Sequence, residues 1–220
     1  MEIFSPPRVA LRLPAGLTSA GSFDIITGSD LLTWQGQHTV LEALRTFRPR
    51  MLVSSPPCTM YSDLQRLWNF KKMKAKLRRA RMKKANTLLD FGMTVCTVQG
   101  NAGRFWVHEH PNRASSWKRR TVRKLMRLKT TMAVTFDQCQ VGLCLPGNPE
   151  KKIRKRTTLL TNSQHVVDLF KPLQCCCAKG AHALARGNYN GVSVARYCQA
   201  YPRRLCDLLA SAALKHAQDL

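Results

Sequence analysis

Short apolar runs alternate with longer helical stretches along this chain, and that alternation constrains its fold more than any other feature. The runs are Asp24 to Thr27, Met51 to Ser54, Arg104 to His108, Met132 to Phe136 and Thr157 to Thr161. Between them, helical spacing covers Gln37 to Phe47, Leu64 to Gln99, Ala114 to Leu128 and Ser163 to Phe170. Strand alternating with helix predicts an α/β, Rossmann-like architecture, a mostly parallel sheet with helices on both faces. Loops leaving the carboxyl ends of the strands then carry the working residues. Val192 to Ala217 reads as a closing helix interrupted at Pro202, with Leu205, Leu208, Leu209 and Ala212 on one face. Gly142 to Glu150 reads as a loop. A length of 220 residues suits one core, and we read residues 1–220 as a single domain.

Lys and Arg number 36 against 12 Asp and Glu, a formal charge of +24, while 44% of residues are apolar. The apolar share describes a folded protein with a basic surface, because a disordered basic tail would lack it. A polyanion is the natural partner, nucleic acid and specifically DNA before a membrane. The charge is clustered. Lys71, Lys72, Lys74, Lys76, Arg78, Arg79, Arg81, Lys83 and Lys84 form one run. Lys118, Arg119 and Arg120 open a second, and Lys151 to Arg156 is a third. Phe70, Met73, Leu77 and Ala80 stand at helical spacing within the first and predict a narrow buried stripe. Any one such run reads equally well as a solvated helix face. Three of them beside the sharpest motifs point to phosphate-backbone binding.

Nine cysteines, three of them consecutive at Cys175 to Cys177, suit a reduced compartment better than a disulfide framework. Residues 1 to 20 do not read as a secretory signal, and no apolar run reaches about 18 residues. The expectation is an intracellular protein of nucleus or cytoplasm.

The sharpest motif is Ser55-Pro56-Pro57-Cys58, directly after the apolar run Met51-Leu52-Val53. Two prolines fix φ and withhold two amide donors, so the strand stops and Cys58 is presented on a stiff loop. Rigid presentation suits a nucleophile, and nearby positive charge lowers a thiol's pKa. A buried, inert thiol is the plainer alternative. Trp106-Val107-His108-Glu109-His110-Pro111 places a carboxylate at the exit of another apolar strand. Glu109 could instead pair with a neighbouring Arg, and His108 and His110, two apart, share a strand face where a metal could sit. Arg154 and Arg156 lead into the run Thr157 to Thr161. Trp106, Trp117, Phe136 and Phe170 read as core rather than base-stacking platforms.

In this order, Pro-Pro-Cys, strand-Glu and Arg-x-Arg, the chain resembles the catalytic half of DNA methyltransferases that modify carbon 5 of cytosine, over roughly Asp24 to Arg156. The fuller pattern is similar to a methyltransferase-like family of mobile-element-rich eukaryotic genomes. Its motifs read here as Ser55 to Thr59, Glu109 to Pro111, Ser115 to Trp117, Asp137 to Cys139 and Leu160 to Ser163. The resemblance implies a methyltransferase-type sheet and gives Cys58 the attack on carbon 6 of a flipped cytosine. It gives Glu109 the proton at ring nitrogen 3, and Arg154 or Arg156 the carbonyl at carbon 2. It implies S-adenosyl-L-methionine as methyl donor, bound near Asp24, Gly28, Pro56 and Pro57, with Asn190 in a closing motif.

Two features depart from the pattern. The glycine-rich turn expected ahead of Asp24 has only Ala15 to Gly21 to represent it, too close to Asp24 for a second strand and helix. The first βαβ unit is therefore expected to be truncated. The usual Asn after the catalytic Glu is replaced by His110-Pro111. The competing reading is a catalytically inactive, strongly basic nucleic-acid-binding protein derived from a mobile element. No metal site is assigned from the sequence. Cys177 and His182, with Cys175 or Cys176 and with Cys139 and Cys144 as further thiols, have ligand types and spacings that zinc tolerates, although the related family's second His is Leu184 here.

Overall fold

The computed structural model describes residues 1–63 and 65–219. Glu2–Ile3 (β1), Ser22–Phe23 (β2), Met51–Ser54 (β3), Phe105–Pro111 (β4), Met132–Asp137 (β5) and Arg156–Thr161 (β8) form one sheet in the order β2-β1-β3-β4-β8-β5. β1 is parallel to both β2 and β3, and β3 is parallel to β4. β8 runs antiparallel to its neighbours β4 and β5. The sheet is thus mostly parallel and flanked by helices, an α/β architecture compatible with a Rossmann-like fold.

Successive strand residues face opposite layers. Leu52, Trp106 and Leu160 pack with Ile3 against helices α1 (Trp34–Phe47), α3 (Ala75–Asn101) and α4 (Arg120–Met126), through Val40, Leu44, Leu89, Val95, Val122 and Leu125. Met51, Val53, Val107 and Leu159 face the other way, onto α5 (Gln164–Phe170) and α7 (Arg203–Gln218), through Val166, Phe170, Leu205 and Leu209. Complete burial of side chains of this size stabilises the fold by about 1.5–3 kcal/mol each. Helix α1 begins where the Thr33 hydroxyl accepts the Gly36 amide at 3.1 Å. Gly36 admits no side chain, because a Cβ there would stand 2.2 Å from the Asp30 carbonyl oxygen.

A third, smaller cluster holds Leu143, Leu145, Ile153, Val194 and Cys198. It underlies two hairpins, Cys144–Leu145 (β6) with Asn148–Lys152 (β7) and Asn188–Tyr189 (β9) with Val192–Ser193 (β10), and the short helix α6 (Val194–Tyr197). Gly142 to Glu150, expected as a loop, therefore contains a strand pair.

Four expectations need correction. Asp24 to Thr27 is not a strand: β2 ends at Phe23, and Asp24 caps the turn Ile25–Thr27 by accepting the Ile26 amide at 2.9 Å while Thr27 Oγ1 accepts the Asp24 amide at 2.9 Å. This local capping outweighs the β-preference of two isoleucines. The long helix breaks at extended Met73, between the short α2 (Phe70–Lys72) and α3. Leu64, its expected start, lies outside the described residues. The stripe through Leu77 does not bury, since Leu77 is 45% exposed and Ala80 is exposed. Ala114 to Leu128 divides at Arg119, whose extended backbone separates a turn at Ser115–Lys118 from α4.

The sequence is expected to leave no room for a second strand and helix before Asp24; the strand is present as β2, and the helix is not. Between β1 and β2 the chain has no α-helix, only the turn Ala10–Arg12. No helix among the described residues is long and apolar enough to cross a membrane.

Candidate active site at the carboxyl ends of the strands

The connection from β1 goes to β2 on one side, and the next returns to β3 on the other, so the β1–β3 boundary is the topological switch point of the sheet. Open α/β sheets bind ligands in the crevice outside the carboxyl ends at such a point. A cavity of about 250 Å³ lies there, lined by Phe4, Ser5 and Arg8 after β1, Asp24 to Ile26 after β2, Ser55 to Thr59 after β3, and Glu109 of β4. A second cavity of about 600 Å³ lies beside it, lined by Ser62, Gln65 and Asn69, by Pro111, and by Ala185 to Gly187. Cys58, Thr59, Lys155 and Gln199 line both cavities. The thiol therefore stands on a shared wall.

The loop that carries Cys58 is pinned from β4. His110 is fully buried, with Nε2 3.0 Å from the Pro56 carbonyl oxygen and Nδ1 2.6 Å from Ser116 Oγ. Both ring nitrogens are engaged, so His110 is a strut rather than a metal ligand. His108 stacks beside it at 5.2 Å, and burial pushes its pKa well down. Burial likewise lowers that of His110 to about 4, so both imidazoles are neutral at physiological pH.

Glu109 is 5% exposed. Its Oε2 accepts from the Tyr201 hydroxyl at 3.4 Å, and that hydroxyl is hydrogen-bonded to Ser55 Oγ at 2.6 Å. Burial and the nearby Glu109 charge push the Tyr201 phenol well up, which keeps it a proton donor. Oε1 of Glu109 has no hydrogen-bond partner, and Lys155 Nζ stands 3.9 Å from it.

Cys58 and Glu109 thus converge as expected, but the guanidiniums do not join them. Arg154 Nε binds Asp137 Oδ1 at 3.0 Å, and Arg156 Nε lies 4.0 Å from the same oxygen. Both line a neighbouring cavity with Ser62 and Pro111. Residues two apart in an extended segment share a side, so Lys155 between them faces the thiol. That ammonium also donates to the Cys198 carbonyl at 3.1 Å, which fixes its position.

The thiol is not activated in the way its basic surroundings suggested. Burial raises the Cys58 pKa, Lys155 lowers it by less than burial raises it, and Glu109 adds a smaller upward push. Most of the chain's positive charge stands elsewhere, in solvent, where it is screened.

Of the residues expected around a methyl donor, Asp24, Pro56 and Pro57 line the switch-point cavity, and Gly28 and Asn190 line neither cavity. Gly28, at φ +85°, closes the Asp24 turn. Asn190 at φ +48° and Gly191 at φ +76° make the tight turn between β9 and β10. The turn Ala15 to Gly21 does not follow β1. That place is taken by Phe4 to Val9, shaped by buried Glu2, whose carboxylate accepts the amides of Arg8, Val9 and Ala10 at 3.1, 3.1 and 2.8 Å. These three amides are committed to Glu2, so the loop lines the cavity through Phe4, Ser5 and Arg8, of which Arg8 supplies the cation. Arg8, Lys155, Gln199 and Tyr201 escaped the sequence reading, because their roles depend on packing between distant segments.

The basic runs divide into free and engaged cations. Lys71, Lys72, Lys74, Lys76, Arg78, Arg79, Arg81, Lys83 and Lys84 are all exposed, and among the described residues none forms an ion pair. Lys118 and Arg120 are exposed near them, since α4 packs on α3. Arg119 is engaged: it forms a two-pronged ion pair with Asp90, with Nε 2.6 Å from Oδ1, and fastens α4 to α3. No protein-family model, curated protein or solved structure matches this chain.

Proposed function

We propose that this chain is a DNA cytosine-5 methyltransferase-like protein, with Cys58 as nucleophile and S-adenosyl-L-methionine as methyl donor. The observation that carries the reading is the position of Cys58 on the wall common to the two cavities. A thiol between two adjoining ligand spaces is what carbon-5 methylation requires, because the sulfur must reach the base while the base faces the donor. An extrahelical cytosine would enter the larger cavity, taken out of the stack as any enzyme acting on a base inside a duplex requires.

The residues at the smaller cavity fit the donor in kind. Asp24 spends one carboxylate oxygen on the Ile26 amide and keeps the other for ribose hydroxyls. Ile25 and Ile26, 67% and 76% exposed, offer an apolar surface to a flat ring. Arg8 supplies a cation for a carboxylate, in place of the amides that Glu2 occupies. A volume of about 250 Å³ falls just under the lower end of ligand pockets, about 300 Å³, so the nucleoside extends along the Ile25–Ile26 rim. When bound, the donor supplies an electrophilic methyl group.

The chain's own groups do the rest. Cys58 gives up its proton to solvent and its sulfur bonds to carbon 6 of cytosine as the 5,6 double bond opens, which makes carbon 5 electron-rich. Glu109 holds the proton at ring nitrogen 3 as charge develops, its free Oε1 being the available oxygen. Lys155 meets the carbonyl at carbon 2, the part the resemblance gave to Arg154 or Arg156. Once carbon 5 carries the methyl group, the donor having left as a neutral thioether, water takes the proton on carbon 5, the carbon–sulfur bond breaks as the 5,6 double bond re-forms, and the released thiolate regains a proton from solvent. Exposed cations of α3 and α4 hold phosphates.

Trapping tests this reading directly. An oligonucleotide carrying 5-fluorocytosine, incubated with S-adenosylmethionine, should form a covalent adduct that Cys58→Ser abolishes. Absence of adduct on both single-stranded and duplex DNA would overturn it. The raised Cys58 pKa and the amides committed to Glu2 favour a second reading, a nucleic-acid-binding protein without catalysis. It predicts DNA binding unchanged by Cys58→Ser and no heat of binding with S-adenosylmethionine.

A further inference from the structure

Seventeen residues without helix or strand connect α5 to β9. Connections of that length inside a compact unit are uncommon and need something to hold them. Cys175, Cys177 and His182 lie in this segment, and Cys139 lies in the turn that follows β5. Their Sγ atoms and the His182 ring nitrogen are all within 4.8 Å of one another. Zinc at about 2.3 Å from sulfur and about 2.0 Å from nitrogen, in tetrahedral geometry, sets thiolates about 3.8 Å apart and thiolate and imidazole about 3.5 Å apart. Cys175 Sγ and His182 Nε2 are already 3.4 Å apart.

We propose that Cys139, Cys175, Cys177 and His182 form a structural zinc site that anchors the 171–187 segment to the end of β5. The surroundings match what such sites hold around their ligands. Gln140 Nε2 lies 3.8 Å from Cys139 Sγ and 3.9 Å from Cys177 Sγ, placed to donate to both sulfurs. The Cys175 amide donates to Asp137 Oδ2 at 3.1 Å, and Asp137 is in turn held by Arg154. On binding, the three thiols release their protons and His182 coordinates as neutral imidazole through Nε2. A dication with three thiolates carries one net negative charge, which together with the Asp137 carboxylate is offset by the two guanidiniums of Arg154 and Arg156. Cys176, between two ligands, is exposed and outside the cluster.

The site has a structural consequence for the larger cavity. Ala185, Arg186 and Gly187, which help wall it, follow His182 by three to five residues. Metal at the cluster fixes that wall.

The test is metal content and coordination of the full chain, purified under reducing conditions and reconstituted with zinc. One zinc per chain is expected after gel filtration. Cobalt in its place should give the visible bands of a tetrahedral thiolate site, and zinc should shield three thiols from a disulfide reagent. Cys177→Ser and His182→Ala should lose the metal, while Cys176→Ser and Cys144→Ser keep it. The cobalt spectrum of the unsubstituted chain reads the ligand set even where a variant misfolds. Failure to retain zinc, retention of full zinc by both Cys177→Ser and His182→Ala, or a Cys139–Cys175 disulfide in chain isolated with its free thiols blocked would each overturn the proposal.

Discussion

Lys155 holds its ammonium 3.9 Å from the Glu109 carboxylate, and both groups act on Cys58 with opposite sign. Glu109 raises the thiol's pKa and Lys155 lowers it. Below that pKa, the alkylation rate follows the thiolate fraction, so a change of one in pKa moves it about tenfold. Glu109→Gln is therefore expected to speed iodoacetamide labelling of Cys58 several-fold at pH 8, and Lys155→Met to slow it. Peptide mass spectrometry against time measures both. Equal rates in the two variants would dissociate these groups from the thiol.

Acid should weaken the fold through its buried imidazoles. Burial holds His110 and His216 at about 4, and pushes His108 well down. In the unfolded chain histidine titrates near 6.5. A depressed native pKa means that the unfolded state takes up protons first, so stability is complete above about pH 6.5 and declines toward pH 4. His110 alone accounts for about 3 kcal/mol of that decline. Urea unfolding at pH 7.5, 6 and 5 measures it, and His110→Asn should flatten the slope. A flat profile in the unsubstituted chain would mean that these rings are accessible to water.

Glu2→Ala should be severe although Glu2 lies in a two-residue strand. It leaves three amides without acceptors, at a cost of about 3 kcal/mol or more. It should also abolish donor binding measured by titration calorimetry, because Arg8 loses its place. Unchanged calorimetry in a folded variant would remove the post-β1 loop from the site.

Exposed and paired cations should behave differently. Replacing Lys76, Arg78, Arg79 and Arg81 with Gln should leave the melting temperature almost unchanged and weaken DNA binding. It should also flatten the log–log salt dependence by about 0.9 for each duplex phosphate no longer neutralised. Arg119→Gln should do the reverse, lowering the melting temperature while altering affinity little, since its charge is spent on Asp90. Equal effects on affinity from the two changes would argue against this division.

The sheet was legible wherever apolar runs were long enough to show a period, as at β3, β5 and β8. β1 and β2 were not, because two residues carry no period and their pairing is decided across the chain, β1 against β3 and β2 against β1. Cys58 and Glu109 were readable because Pro56 and Pro57 mark the end of β3 just before the thiol, and Pro111 marks the end of β4 just after the carboxylate. Lys155 was hidden by its neighbours: in Arg154-Lys155-Arg156 the charge pattern is uniform, and only the buried carboxylate of Asp137, 1% exposed, decides which cations turn away from the cavity. The proposed zinc ligands divided in the same way. Cys177 and His182 stood out by local spacing, whereas choosing Cys139 over Cys144 required the fold.

The first ten residues of α3 stand clear of the core, apart from Met82, and crowd like charges at neighbouring turns, Lys76 with Arg79, Arg78 with Arg81, Arg79 with Lys83. Such pairs repel by a few tenths of a kcal/mol each, and a helix end without a packed face has little to offset them. Helix content there is therefore tied to whatever neutralises the repulsion. A polyanion laid along this rod would lengthen it as well as bind it, so that ordering of the segment and occupancy of the surface rise together and fall together with added salt.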